Sequence, residues 1–360
     1  MNYNNVIKIK NIEIGPYKPT YFIADIASNH DRDISRAKDL IWRAKESGAH
    51  AAKFQHFKAE KLVSKRGFNK VTNQAAHQLS WGSSVFDVYQ ANEYNREWDS
   101  ILYEECGRAD IHFMTSPYDL EAIKEVKTLV AAYKIGSGDI TYPNILKKIS
   151  ETELPIFLAC GASSLVDVRR AVDLILRNSP QLVLMQCNTN YTGSNKNFNH
   201  INLRVLNTFS QIWPNMVLGL SDHTIGHSTV LAAVALGARC IEKHFTDDTS
   251  RRGPDHPFSM TPKTWREMVD RTKEVERALG DGIKRVEDNE LETSVAQRRG
   301  LYLTRQLDSG VCIKHSDLQS LRPALEGMFY PYEIEEVVGR VLLKKKSKGD
   351  PLQKSDLKIG

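Results

Sequence analysis

The chain of 360 residues is 41% hydrophobic and 26% charged, with 21 Gly and 13 Pro. That composition excludes a disordered chain, a collagen and a disulfide-stapled miniprotein. Its longest uncharged apolar stretch, residues 230–238, falls short of the roughly 20 residues that cross a bilayer, so no membrane association is expected. The first residues, MNYNNVIKIKNIEIG, lack the apolar segment of a secretory signal. Five cysteines without a CxxC spacing argue against a disulfide framework or zinc ribbon and for the cytoplasm. The net charge of +5 gathers late, with 12 Lys+Arg against 8 Asp+Glu from Ser294 onward. The run Lys344, Lys345, Lys346 and Lys348 reads as a solvated edge or turn. A nucleic-acid footprint would need a wider basic face with interleaved aromatics.

In chain order, short apolar segments alternate with amphipathic ones. Strands are expected at 21–27, 49–55, 111–115, 132–135, 156–159, 182–187, 217–220 and 240–244, each apolar enough to be buried on both faces. Helices are expected between them, among them 33–47 and 262–279. The second has Thr261 as N-cap, Pro262 at its first position and Gly280 just past its end. Its Trp265, Met268, Val269, Thr272 and Leu279 share one face. Gly48 and Gly237 sit where a left-handed residue would end a helix before a strand.

Eight β units each followed by a helix predict a (β/α)8 TIM barrel over residues 1–281. A doubly wound open sheet would want glycines after the first strand, where Ile26-Ala27-Ser28-Asn29-His30 has none. Residues 282–294 are polar and read as a linker. Residues 295–360 read as a small β-rich domain with an internal repeat, 307–318 echoed by 346–357.

Barrel enzymes gather their reactive groups at the C-terminal ends of the strands. There the sequence places Asp25, Lys53, Gln55, Ser116, Lys134, Ser137, Asp139, Thr189, Tyr191, Ser221, His223, Glu242, His244 and, beyond the last strand, Asp255. His223 and His244 end adjacent strands about 4.8 Å apart, so both imidazoles can reach one metal, with substrate or water completing the ligand set. Lys53 and Lys134 can share a small anion, helped by the hydroxyls of Ser137 and Ser221. The alternative for the lysines is structural ion pairs with Asp25 or Asp139.

The segments 218–226, 233–238, 241–246 and 253–256, with Lys53-Phe54-Gln55, Tyr133 to Gly138, Arg298 to Leu301 and Leu321-Arg322-Pro323, resemble the sialic acid synthase family. The resemblance implies a TIM barrel followed by a SAF (antifreeze-like, β-clip) domain. It implies condensation of phosphoenolpyruvate with an N-acetylated aldose, giving a nine-carbon 3-deoxy-2-ulosonic acid. It also implies a domain-swapped homodimer in which Arg322 of the partner subunit reaches the barrel mouth.

Carried over by position, Lys53, Lys134, Ser137, Thr189 and Ser221 would hold phosphoenolpyruvate. Gln55, Tyr191, Asp255 and Arg322 would meet the sugar. His223 and His244 would bind a divalent metal, Mn²⁺ before Mg²⁺ or Co²⁺. Asp25, Asp139, His244 and Asp255 would serve catalysis. Asp25 and Asp139 stand where the family usually has Glu, one methylene longer, and this departure is expected to mark an unusual sugar. Two rival readings remain: a condensing enzyme for a phosphorylated short sugar, and a carbohydrate-binding relative without catalysis.

Overall fold

The computed structural model describes residues 2–71, 78 and 81–358. They form two compact units, Met1–Gly280 and Asp281–Gly360. The first unit opens with a hairpin, β1 (Ile7–Ile9) and β2 (Ile12–Ile14), turned at Lys10, whose φ is 50°. Its Ile7, Ile9 and Ile14 are buried against Tyr21, Ile23 and Phe157, near the N-terminal ends of the barrel strands. The sequence reading assigned nothing here, because alternation over three-residue strands is too short a signal to stand out.

Eight parallel strands follow: β3 (Tyr21–Asp25), β4 (Ala51–His56), β5 (His112–Pro117), β6 (Ala132–Ile135), β7 (Ile156–Ala159), β8 (Leu182–Cys187), β9 (Val217–Asp222) and β10 (Ala238–His244). The ring closes as β10 pairs with β3, making the expected barrel. The strands are buried almost throughout because one face lines the bore and the other packs under the helices.

Local signals set the helix ends. Asp33 caps Ile34–Glu46 by accepting from the backbone N–H of Ser35 at 2.8 Å and Arg36 at 3.2 Å. Pro262–Leu279 starts after Thr261 and buries Trp265, Met268, Val269 and Thr272. Leu279, expected on that face, is instead 42% exposed, since the last turn runs past the surface it covers. Gly48 and Gly237 have φ of 96° and 97°, the left-handed exit each helix needs.

The segment 282–294 is not a featureless linker. It contains the 3₁₀ turn Asp288–Glu290 and most of the helix Leu291–Gln297, and it lies in the second compact unit. Polar side chains hid this helix, which buries no residue of its own. Beyond it, β11 (Gly300–Leu303) pairs antiparallel with β12 (Leu318–Leu321). The two sequence repeats are bonded reciprocally: Leu307 and Lys346 exchange N–H···O bonds of 2.9 Å in both directions. Gly310 N–H reaches Leu342 O as Gly349 N–H reaches Leu303 O, at 2.8 and 2.9 Å. The unit is therefore pseudo-two-fold, around a core that includes Leu301, Leu303, Ile313, Leu342 and Leu352.

Candidate active site

The C-terminal ends of β3, β4, β6, β9 and β10 bring the two lysines together, and each already has a carboxylate. Asp25 and Lys53 are register partners on β3 and β4, and their charges meet at 2.7 Å with both side chains 2% exposed. Lys53 Nζ also lies 3.3 Å from Ser116 Oγ. Lys134 reaches across the bore to Glu242 on β10, at 2.7 Å. Ser221 Oγ donates to the same Glu242 oxygen at 3.0 Å. Of the two ion-pair partners the sequence offered the lysines, Asp25 holds Lys53, while Lys134 takes not Asp139 but Glu242, a strand-end residue to which the sequence assigns no role. Burial alone would raise the Glu242 pKa, but the charges of Lys134 and Lys53 overcome this and hold it below the usual carboxylate range. Its second oxygen, Oε2, is buried without a hydrogen-bond partner.

The two histidines converge as expected. Their ring centres are 5.4 Å apart. Two imidazoles on one ion, with metal–nitrogen bonds of about 2.1 Å, place ring centres on the order of 5–6 Å apart. His223 Nδ1 is 2.9 Å from Asn188 O, an outer hydrogen bond of the kind that orients a ligating ring, and the ring also bonds Cys187. His244 Nδ1 is buried without a partner, 4.0 Å from Asp255 Oδ2. Burial lowers the His244 pKa, favouring the neutral, ligating form. Burial would also lower that of His223, but hydrogen bonds to Cys187 and to the Asn188 carbonyl raise it, so a cation would compete with that proton. Among the described residues no group of three or more His, Cys, Asp and Glu is arranged to hold a metal. The protein side of such a site would be these two imidazoles.

Asp25 and Asp139 have opposite environments. Desolvation would raise the Asp25 pKa, but Lys53, His244 and the amide of Gln55 at 3.0 Å lower it. Asp139 has burial alone, which pushes it up to about 7. Beside them a solvent-open pocket of about 680 Å³ is lined by Gln55, Tyr191, His244 and Asp255, with Phe57, Leu62, Trp81, Val88, Tyr89 and Tyr118 as its apolar wall. Asp255 Oδ2 accepts from Ser28 N–H at 3.2 Å. This apolar wall comes from the connections after β4 and β5, with Leu62 on the short helix Ala59–Leu62 and Val88 and Tyr89 on Val85–Ala91, whose placement no strand pattern foretells.

Ser137 is buried and accepts from Gly161 N–H at 2.9 Å. A side chain at Gly161 would lie 2.8 Å from Thr189 Cγ2 and 3.0 Å from Ser137 Oγ, so this glycine lets both residues close on one spot. Arg322 is exposed on the second unit. Cys160 donates its thiol to Met185 O at 3.1 Å, and burial pushes its pKa up to about 12. So inert a thiol serves packing, and Cys160→Ala is expected to keep kcat/KM near wild type in a steady-state assay. Asn29 and His30, at the end of β3, are buried and structural. Asn29 bonds Phe245 O and Ser259, while His30 packs among Phe54, Tyr94 and Trp98.

Comparison with known proteins fits this geometry. The chain is 36% identical over 341 residues to the N,N'-diacetyllegionaminic acid synthase of Legionella pneumophila, covering 92% of this chain and 93% of that one. It is 27% identical to the human N-acetylneuraminate-9-phosphate synthase, covering 92% and 90%. A solved N-acetylneuraminic acid synthetase of Leptospira borgpetersenii superposes with a TM-score of 0.69 at 27% identity, covering 80% of this chain and 94% of that one. Residues 298–358 match the SAF domain. With residues 40–284 matching the family itself, a barrel-mouth arrangement of paired lysines and histidines is carried here by a member of the NeuB family.

Proposed function

We propose that the protein condenses phosphoenolpyruvate with an open-chain N-acetylated aldose to a nine-carbon 3-deoxy-2-ulosonic acid and phosphate, and that its sugar is a diacetamido-trideoxy hexose. The observation that carries the reaction is the convergence at one mouth of two buried lysines and two imidazoles 5.4 Å apart. Buried ammonium groups beside the hydroxyls of Ser116 and Ser221, with Ser137 at the same strand ends, suit a small polyanion, and positioning does most of the catalysis. The choice of sugar rests on the pocket wall. Phe57, Leu62, Val88 and the tyrosines suit acetamido methyls and deoxy carbons, where a polyol would leave hydroxyls unpaired. The name of the Legionella relative points the same way.

C3 of phosphoenolpyruvate attacks the aldehyde, water adds at C2, and phosphate leaves with its bridging oxygen. A divalent ion on His223 and His244, Mn²⁺ by preference, would supply Lewis-acid polarisation of the aldehyde oxygen. Lys53 and Lys134 hold the carboxylate and phosphate. Asp255, Gln55 and Tyr191 orient the sugar. Asp139, protonated near neutrality, donates a proton to the developing sugar oxygen, while Asp25 stays ionised beside Lys53. In a homodimer, Arg322 of the partner subunit would complete the mouth.

The test is phosphate release from phosphoenolpyruvate with Mn²⁺ and a panel of sugars: N-acetylmannosamine, its 6-phosphate and the diacetamido-trideoxy hexoses. The last are expected to give the highest kcat/KM, with ¹⁸O from water in the ketoacid carbonyl and none in phosphate. Excess chelator is expected to stop turnover, and undiminished turnover there would refute the metal's role. Sugar-independent phosphate release, or none with any sugar, would overturn the reading.

A further inference from the structure

A second buried ion pair lies behind the histidines. Asp222 and Lys243 are register partners on β9 and β10, and each immediately precedes one of the two imidazoles, His223 and His244. Side chains alternate along a strand, so this pair lies on the opposite face from Ser221 and Glu242, beneath the helices. Both side chains are 1% exposed and their charges meet at 2.5 Å. The contacts converge on the turn that follows His223. Asp222 accepts from Thr224 N–H at 3.2 Å, Thr224 Oγ1 at 2.9 Å and Thr229 Oγ1 at 2.8 Å. Lys243 Nζ donates to Thr224 O at 2.6 Å. His223 is therefore held from both neighbours, and one of the bonds that hold it comes from the residue next to His244. Sliding one ring relative to the other would break several charge-assisted bonds in a dry site, where each is strong.

Stability alone does not explain the pair. Desolvating two charges offsets their attraction, and well-packed apolar residues of similar volume commonly do as well or better. What an apolar pair cannot supply is direction.

We propose that Asp222 and Lys243 are positioning residues, a cross-strand clamp that fixes His223 and His244 at the separation one divalent cation requires. This rests on the metal reading above, and the experiment separates the two. Mn²⁺ binding to the full chain is titrated without substrates, following the free ion by electron paramagnetic resonance. D222L/K243M removes the clamp and leaves no buried charge unpaired. It is expected to fold, to bind Mn²⁺ about 10- to 100-fold more weakly, as loss of an outer-shell partner does, and to lose less affinity for phosphoenolpyruvate by calorimetry. Should it fail to fold, D222N/K243M keeps an acceptor for the Thr224 N–H and carries the same expectation. Mn²⁺ affinity unchanged in a folded clamp variant, even with a shifted melting temperature, overturns the clamp and makes the pair structural. Mn²⁺ binding that also survives H223A/H244A overturns the metal reading, and the clamp with it.

Discussion

Replacing Lys134 by methionine is expected to lower kcat/KM for phosphoenolpyruvate by on the order of 10³, as loss of a preorganised electrostatic contact does, and to destabilise the fold as well. The second effect comes from Glu242. Glu242 is 4% exposed; its carboxylate bonds Lys134 and Ser221 through one oxygen and has no partner for the other. Without the ammonium a buried charge stands uncompensated, a loss of about 3–5 kcal/mol. The sign with pH follows. In wild type the Glu242 pKa lies below its ordinary value, so the group stabilises above that value and the contribution fades as pH falls through the lowered pKa. In Lys134→Met burial dominates and raises it, so the variant weakens as pH rises. K134M/E242L, which removes both charges, is expected to recover the urea midpoint near wild type and none of the activity. A double variant that turns over would show that Lys134 serves only to neutralise Glu242.

That pairing also shows where sequence stops. The strands were legible because each is short, apolar and followed by a helix, and the polar ends of β3, β4, β6, β9 and β10 marked the mouth. His223 and His244 could be paired because adjacent strands must bring their ends together. Lys134 and Glu242 could not, since β6 and β10 lie on opposite sides of the ring and meet only across the bore. Sequence offered only Asp25 or Asp139 as ion-pair partners for the lysines. Asp222 and Lys243 were hidden differently. Each stands beside a histidine in its segment, and only the register shows them facing each other. The apolar wall of the pocket lies on the connections after β4 and β5, in loops and in the short helices Ala59–Leu62 and Val85–Ala91, whose course depends on packing more than on periodicity.

The second large effect concerns Asp139, and here the two acids that sequence could not tell apart separate by environment. Asp25 is neutralised by Lys53 and stays ionised, whereas Asp139 titrates at about 7 because burial opposes its charge. Tyr89 and Tyr118 feel its charge: burial raises both pKa values first, followed by Asp139 for Tyr118 and by Asp255 and then Asp139 for Tyr89. A proton donor of this kind makes kcat fall as pH rises through 7. Asp139→Asn is expected to lower kcat by about 10²–10⁴, the usual share of general acid catalysis, and to abolish that ionisation from the pH profile. The stability consequence has the opposite sense to an ordinary ion-paired carboxylate. With a raised pKa the folded chain binds more protons than the unfolded one between about pH 4 and 7, so wild-type stability declines as pH rises across that window. Asp139→Asn removes the dependence and should melt higher than wild type at pH 8, with little difference at pH 4. An unchanged pH profile of kcat in Asp139→Asn would take the proton away from this residue, whatever happened to its melting temperature.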